Sequence, residues 1–139
     1  MRVLVCGGRD FGERSKAPLG SFQFIEDSRR IVAQRELLDR VLSEQCPTGH
    51  EIIIHGAARG ADRQVDMWAR KRRQKVMSFP ADWYPNGRSA GMDRSAGPKR
   101  NQRMIDEGKP DLVVAFPGGK GTEDMKRRAK AAGIKVIEV

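Results

Sequence analysis

Histidine and cysteine are scarce in this chain, and each scarcity removes a class of function. His50 and His55 are the only histidines. Neither has a second ligand at metal spacing, so no metal site is expected. Cys6 and Cys46 are the only cysteines and show no CxxC spacing. They read as free thiols of a reducing cytoplasm rather than as a disulfide framework. No apolar run approaches the roughly 18 residues that cross a bilayer, so no membrane partner is expected. The opening MRVLVCGG has too short an apolar run for a signal peptide and reads as a first strand. With 139 residues, one domain covering 1–139 is expected, long enough to bury a real core.

Two nucleotide signatures are also missing. No G-x-G-x-x-G follows a strand, and no GK[ST] closes a loop of P-loop length, so Lys120 is not a Walker lysine. An ordinary NAD dehydrogenase and an ATPase are thereby disfavoured, and no cofactor is implied.

What the chain does carry is positive charge, unevenly placed. The net charge is +9. Residues 1–69 hold 10 basic and 10 acidic side chains, whereas residues 70–139 hold 17 basic and 8 acidic. Such a field attracts phosphate, on a small nucleotide or on a nucleic acid. A solvated helix face explains KRRAK equally simply.

Strand-like and helix-like segments alternate. RVLVC (2–6), EIIIHG (51–56), KVMSFP (75–80), DLVVAF (111–116) and IKVIEV (134–139) read as strands. The intervening stretches 27–45, 61–73, 98–108 and 122–133 read as helices, the third stopped by Gly108, where a C-cap is expected. This alternation predicts βαβ units and a Rossmann-like three-layer α/β/α sandwich, its mainly parallel sheet having about five strands. The irregular stretch 81–98 is long for a simple connection and suggests a functional loop or lid.

Ligands of open parallel sheets bind beyond the carboxyl ends of the strands. Three strands end there in glycine: VLVCGGRDF, IIIHGAARGAD and VVAFPGGKGT. A glycine turn leading into a helix start is an anion cradle. Candidate ligand contacts are therefore Gly7, Gly8 and Arg9 in the first turn, and Gly56, Arg59, Gly60 and Asp62 in the second. The third contributes Gly118, Gly119, Gly121 and Thr122, the threonine also as a helix cap. Asp10 reads as a turn residue, and Asp62 as a helix-start residue or a ligand contact. Trp83 and Tyr84 either stack on a base or anchor the long loop.

PGGKGT entering a helix resembles the signature of the SLOG superfamily of Rossmann-like domains. That superfamily includes the LOG-type nucleoside-5′-monophosphate phosphoribohydrolases and the DNA-processing protein A family. HGAARGAD is similar to the GxARGxD element of the DNA-processing branch. GGRDF (7–11), PADW (80–83) and AGPKRNQRM (96–104) together look like a compact SLOG subfamily of bacteria and phages. The resemblance covers nearly the whole chain.

The resemblance implies a nucleotide or nucleotide-derived ligand, and hydrolysis of an N-glycosidic bond in the enzymes of the family. Their motif reads PGGxGTxxE, and its catalytic glutamate falls on Met125 here. A thioether carries no charge and accepts no proton, so the loss favours binding over hydrolysis. Asp124 is the carboxylate that remains to take over part of that role, whereas Glu123 reads as complementing the helix dipole. Arg100 matches the family's substrate-binding arginine, with Asn101 beside it as a further ligand contact. If a reaction survives, Asp124 and Arg100 are its candidate catalytic residues. Nucleic-acid binding through the basic half is the alternative, as in the DNA-processing relatives. Family members often dimerise through helices, so a homo-oligomer is also expected.

Overall fold

The computed structural model describes all 139 residues. Strands β1 (Arg2–Cys6), β2 (Ile52–His55), β3 (Val76–Ser78), β4 (Leu112–Ala115) and β5 (Lys135–Glu138) alternate with helices. The helices are α1 (Phe22–Gln45), α2 (Ala61–Lys71), α3 (Ala96–Asp106) and α4 (Lys120–Ala131). All neighbouring strands pair in parallel, in the order β3-β2-β1-β4-β5. The expected Rossmann-like α/β architecture is the one observed, with five strands.

The two-residue repeat of the strands divides the core into two layers. Val3, Val5, Ile53, Leu112 and Val114 join Leu38 and Leu42 of α1 and Val65 and Trp68 of α2. Leu4, Cys6, Ile54, Val113 and Ala115 point the other way, against Met104 and Ile105 of α3 and Met125 and Ala129 of α4. Cys6 and Cys46 lie in different layers and are both free and buried.

Three helices begin earlier than the apolar pattern predicts. α1 starts at Phe22, five residues ahead, because Ser21 is extended and its hydroxyl accepts the Phe24 N–H. α3 starts at Ala96, and Pro98 fits its first turn, where no backbone donor is needed. α4 starts at Lys120, so Gly119 is the N-cap residue and Thr122 lies inside the first turn. The capping role expected of Thr122 therefore does not hold. Nor is Gly108 a left-handed cap: Lys109 takes the positive φ instead. A side chain at 108 would run into the Met104 carbonyl oxygen.

β1 is the central strand, and the chain leaves it towards β2 on one side and towards β4 on the other. The switch point of the sheet lies between β1 and β4. The turns that follow these two strands, residues 7–11 and 116–119, flank that crevice.

Candidate functional site

The glycine turns after β1, β2 and β4 meet, and most of their glycines are empty of side chain because another turn fills the space. A Cβ on Gly7 would lie 2.6 Å from the Ala61 Cβ, and one on Gly8 would lie 3.2 Å from the Gly118 Cα. A Cβ on Gly118 would sit 2.7 Å from the Gly8 nitrogen and closer still to the Thr122 hydroxyl. Gly60, at φ 82°, presses on the Gly8 and Arg9 carbonyls. The Gly8 N–H donates to the Pro117 carbonyl at 2.9 Å, and the Ala61 N–H donates to the Gly8 carbonyl at 3.0 Å. Gly56 is cleared for an arginine: its Cβ would lie 2.8 Å from Arg100 Cζ. Only Gly119 and Gly121 would carry a Cβ with nothing within 4 Å.

Those two open glycines belong to a run of backbone donors without acceptors. The N–H groups of residues 118–122 make no hydrogen bond within the chain, and the next one, Glu123, reaches the Gly119 carbonyl at 3.1 Å. Five successive donors at the positive end of α4 make a nest of unpaired N–H groups of the kind that suits an anion. They open onto a cleft of about 1480 Å³ at the switch point.

Of the residues picked out from the sequence, Gly7, Gly8, Arg9, Asp62, Arg100, Asn101, Gly118, Gly119, Gly121, Thr122 and Asp124 line this cleft. Gly56 and Arg59 line a smaller adjoining hollow of about 400 Å³, which shares Arg9, Trp83 and Arg100 with the main cleft. Gly60 lines neither and is a packing residue. Arg59 turns towards Asp10, donating to its carboxylate at 3.1 Å.

Asp124 is already occupied. Its carboxylate accepts from Arg128 Nε at 2.8 Å, from Asn101 Nδ2 at 3.0 Å and from the Arg127 guanidinium. Burial alone would raise its pKa, but the Arg128 and Asn101 hydrogen bonds outweigh it and hold the group below the usual carboxylate range. An ionised, fully bonded carboxylate of this kind fastens α4 to α3. Asn101 completes the clamp through its amide, which also donates to the Gly121 carbonyl at 3.2 Å, so it shapes the nest from behind.

Arg100 is pinned by the Gly56 carbonyl and, at 3.1 Å, by Asn101 Oδ1. Burial lowers its pKa, with Asp62 opposing. Asp62 is only 8% exposed and is held by backbone N–H groups, Ala58 at 3.2 Å and Gly56 beside it. Burial pushes its carboxyl up, against the Ala58 and Gly56 hydrogen bonds and the Arg100 charge. Cys6, on the cleft wall, is raised to about 12 by burial and then by Asp62, so it stays a thiol at neutral pH.

Met125 is 1% exposed and packs in the α3–α4 layer, although it also borders the cleft. Trp83 packs against α3, where a Cβ on Gly97 would come within 3.1 Å of its ring, as an anchor of the long loop would, and it also lines the cleft. The Arg9 guanidinium lies 5.6 Å from its ring. His55 is structural. Its Nδ1 accepts the Ala57 N–H at 3.0 Å, which leaves Nε2 to donate to Asp66 at 2.8 Å. That bond supports Ala57 at φ 56°. No three His, Cys, Asp or Glu side chains converge as a metal would require.

Arg30 and Gln34 of α1, Arg94 of the long loop, and Lys120 and Arg127 of α4 line the cleft without having been picked out. Arg30 and Gln34 sit one helical turn apart, which marked them only as a helix face.

Residues 1–84 match the family described as YspA, cpYpsA-related SLOG (YAcAr). The chain belongs to that family. The match spans the GGRDF, HGAARGAD and PADW motifs. The Gene 61 protein of Mycobacterium phage D29 is 39% identical over 93 residues, covering 62% of this chain and 69% of the phage protein. Among solved structures, the X-ray structure of the structural-genomics target TM1055 superposes with a TM-score of 0.59 at 20% identity. It covers 98% of this chain and 72% of its own, so the shared α/β fold extends through the PGGKGT turn and α4.

Proposed function

We propose that this SLOG protein binds a nucleotide or nucleotide-derived molecule in the switch-point cleft, with a phosphate on the N–H groups of residues 118–122. The observation that carries the reading is that run of five unpaired donors at the start of α4, beside the two glycines with open space. Membership of the SLOG family supports a nucleotide-type ligand. Arg9 and Trp83 offer a cation and an aromatic face on the same cleft.

The role is binding rather than hydrolysis. The family's glutamate position holds a core methionine, and the neighbouring Asp124 is tied to Asn101, Arg127 and Arg128. Neither side chain offers a free carboxylate to steady an oxocarbenium-like transition state. The basic second half carries a nucleic-acid reading less well. Seven of its 17 cations, Arg70, Arg72, Lys99, Arg103, Lys126, Arg127 and Arg128, are paired with carboxylates, whereas the N–H groups at the start of α4 have no partner at all.

The test is calorimetric titration with nucleoside 5′-monophosphates and inorganic phosphate, alongside mass spectrometry of small molecules released from the purified protein. Saturable binding with competition by phosphate is expected. Steeply salt-dependent DNA binding without any small-ligand heat would overturn the reading in favour of nucleic acid.

A further inference from the structure

Four carboxylates border the cleft: Asp10, Asp62, Glu123 and Asp124. Three of them are taken. Asp10 pairs with Arg59 at 3.1 Å, Glu123 with Lys126 at 2.7 Å, and Asp124 with Arg128 at 2.8 Å. Asp62 alone has no basic group within 4.0 Å, although it is the most enclosed of the four. Its carboxylate is held by backbone N–H groups alone, Ala58 on Oδ2 and Gly56 beside it, and no side chain donates to either oxygen. A carboxylate more than nine-tenths buried on the wall of a cleft, with no side-chain donor of its own, has acceptor capacity left for a donor brought by a ligand.

The kind of donor follows from the surroundings. A cationic ligand group is disfavoured, because Arg9 and Arg100 line the same cleft and the Arg100 guanidinium is pinned in place. A neutral hydroxyl suits a buried carboxylate, because it donates to the ionised group without bringing a further charge into the cleft. Taking the phosphate assignment above as its basis, we infer that Asp62 is the ligand-selecting carboxylate of the cleft, accepting a hydrogen bond from a sugar hydroxyl of a ligand whose phosphate lies on the 118–122 nest. The ligand class is thereby narrowed to sugar phosphates and nucleotides with a free hydroxyl, as opposed to any phosphate monoester.

Ribose 5-phosphate is a probe that needs no knowledge of the base. Calorimetry of the full chain with ribose 5-phosphate and with inorganic phosphate gives a preference ratio. Wild type should prefer the sugar phosphate by about tenfold or more, the effect of a hydrogen bond to a charged group. Asp62→Asn should lose most of that preference while retaining phosphate binding. Equal affinities for the two probes in wild type would overturn the assignment, and that comparison needs no variant to fold. An unchanged preference in a folded Asp62→Asn, checked by circular dichroism, would also overturn it. Failure of both probes to bind would instead sink the phosphate reading beneath it.

Discussion

Gly118 and Gly121 stand three residues apart in one turn, and the structure predicts opposite consequences for the same substitution. At Gly118 an added methyl would meet the Thr122 hydroxyl and, at 2.7 Å, the Gly8 nitrogen. Neither neighbour can retreat freely. Thr122 is buried, and the Gly8 N–H is fixed on the Pro117 carbonyl. Overpacking of this kind costs roughly 1–3 kcal/mol. For a domain of this size that lowers Tm by about 3–15 °C. At Gly121 the methyl meets nothing within 4 Å, and the residue lies in the first turn of α4. Alanine is the better helix former, so Gly121→Ala should gain up to about 1 kcal/mol. The same methyl stands among the free donors of the nest and should weaken phosphate binding by about tenfold, the loss of one charge-assisted hydrogen bond. Thermal melts and calorimetric titration with inorganic phosphate measure both effects on each variant. A Gly121→Ala protein that is more stable yet binds phosphate as well as wild type would refute the assignment of that open glycine to a ligand. A Gly118→Ala protein as stable as wild type would refute the account of the inter-turn packing.

Met125→Glu should destabilise by roughly 2–5 kcal/mol, because it places a carboxyl in the apolar α3–α4 layer; a variant that melts like wild type and releases free base from nucleoside monophosphates would contradict this. Asp124→Asn should loosen α4 from α3 by about 1–3 kcal/mol, because its carboxylate accepts from Asn101 of α3 and holds Arg128, which in turn donates to Gln102 of α3. Because the Asp124 pKa is lowered in the fold, its contribution is present above the ordinary carboxylate pKa and is lost as pH falls through the folded value. Wild-type and Asp124→Asn melts should therefore converge in acid, and a gap that persists there would argue against the ionic clamp. Asp62 has the opposite sign: its raised pKa costs stability as pH climbs from the ordinary carboxylate range through the folded value. Free Asp62→Asn should accordingly melt higher than wild type at neutral pH and no higher in strong acid; a lower neutral Tm would make Asp62 a structural residue.

Four of the strands were legible as runs rich in β-branched residues and β3 as a short run closed by Pro80, and the parallel pairing followed from the helices between them. The start of α1 escaped the apolar pattern because Phe22 and Ile25 face outward, at 75% and 47% exposure, so they fall off the buried stripe. Ser21 was the available signal. The glycine turns were legible as a cluster at one edge, but the purpose of each glycine was not. What a Cβ at Gly8, Gly56 or Gly60 would meet lies on a different turn or helix, and only the folded chain brings Gly118, Arg100 and Arg9 against them. The same holds for Asp124. Its spacing from Arg127 and Arg128 on α4 was visible, but the third partner, Asn101, comes from α3.

The central claim is that the unpaired amides at the start of α4 hold a phosphate. Titrating uniformly nitrogen-15-labelled protein with inorganic phosphate, and following each backbone amide by NMR, tests it residue by residue. The account predicts that the resonances of Gly118, Gly119, Lys120, Gly121 and Thr122 move furthest and saturate together. Saturable shifts centred elsewhere, with these five amides unmoved, would contradict it.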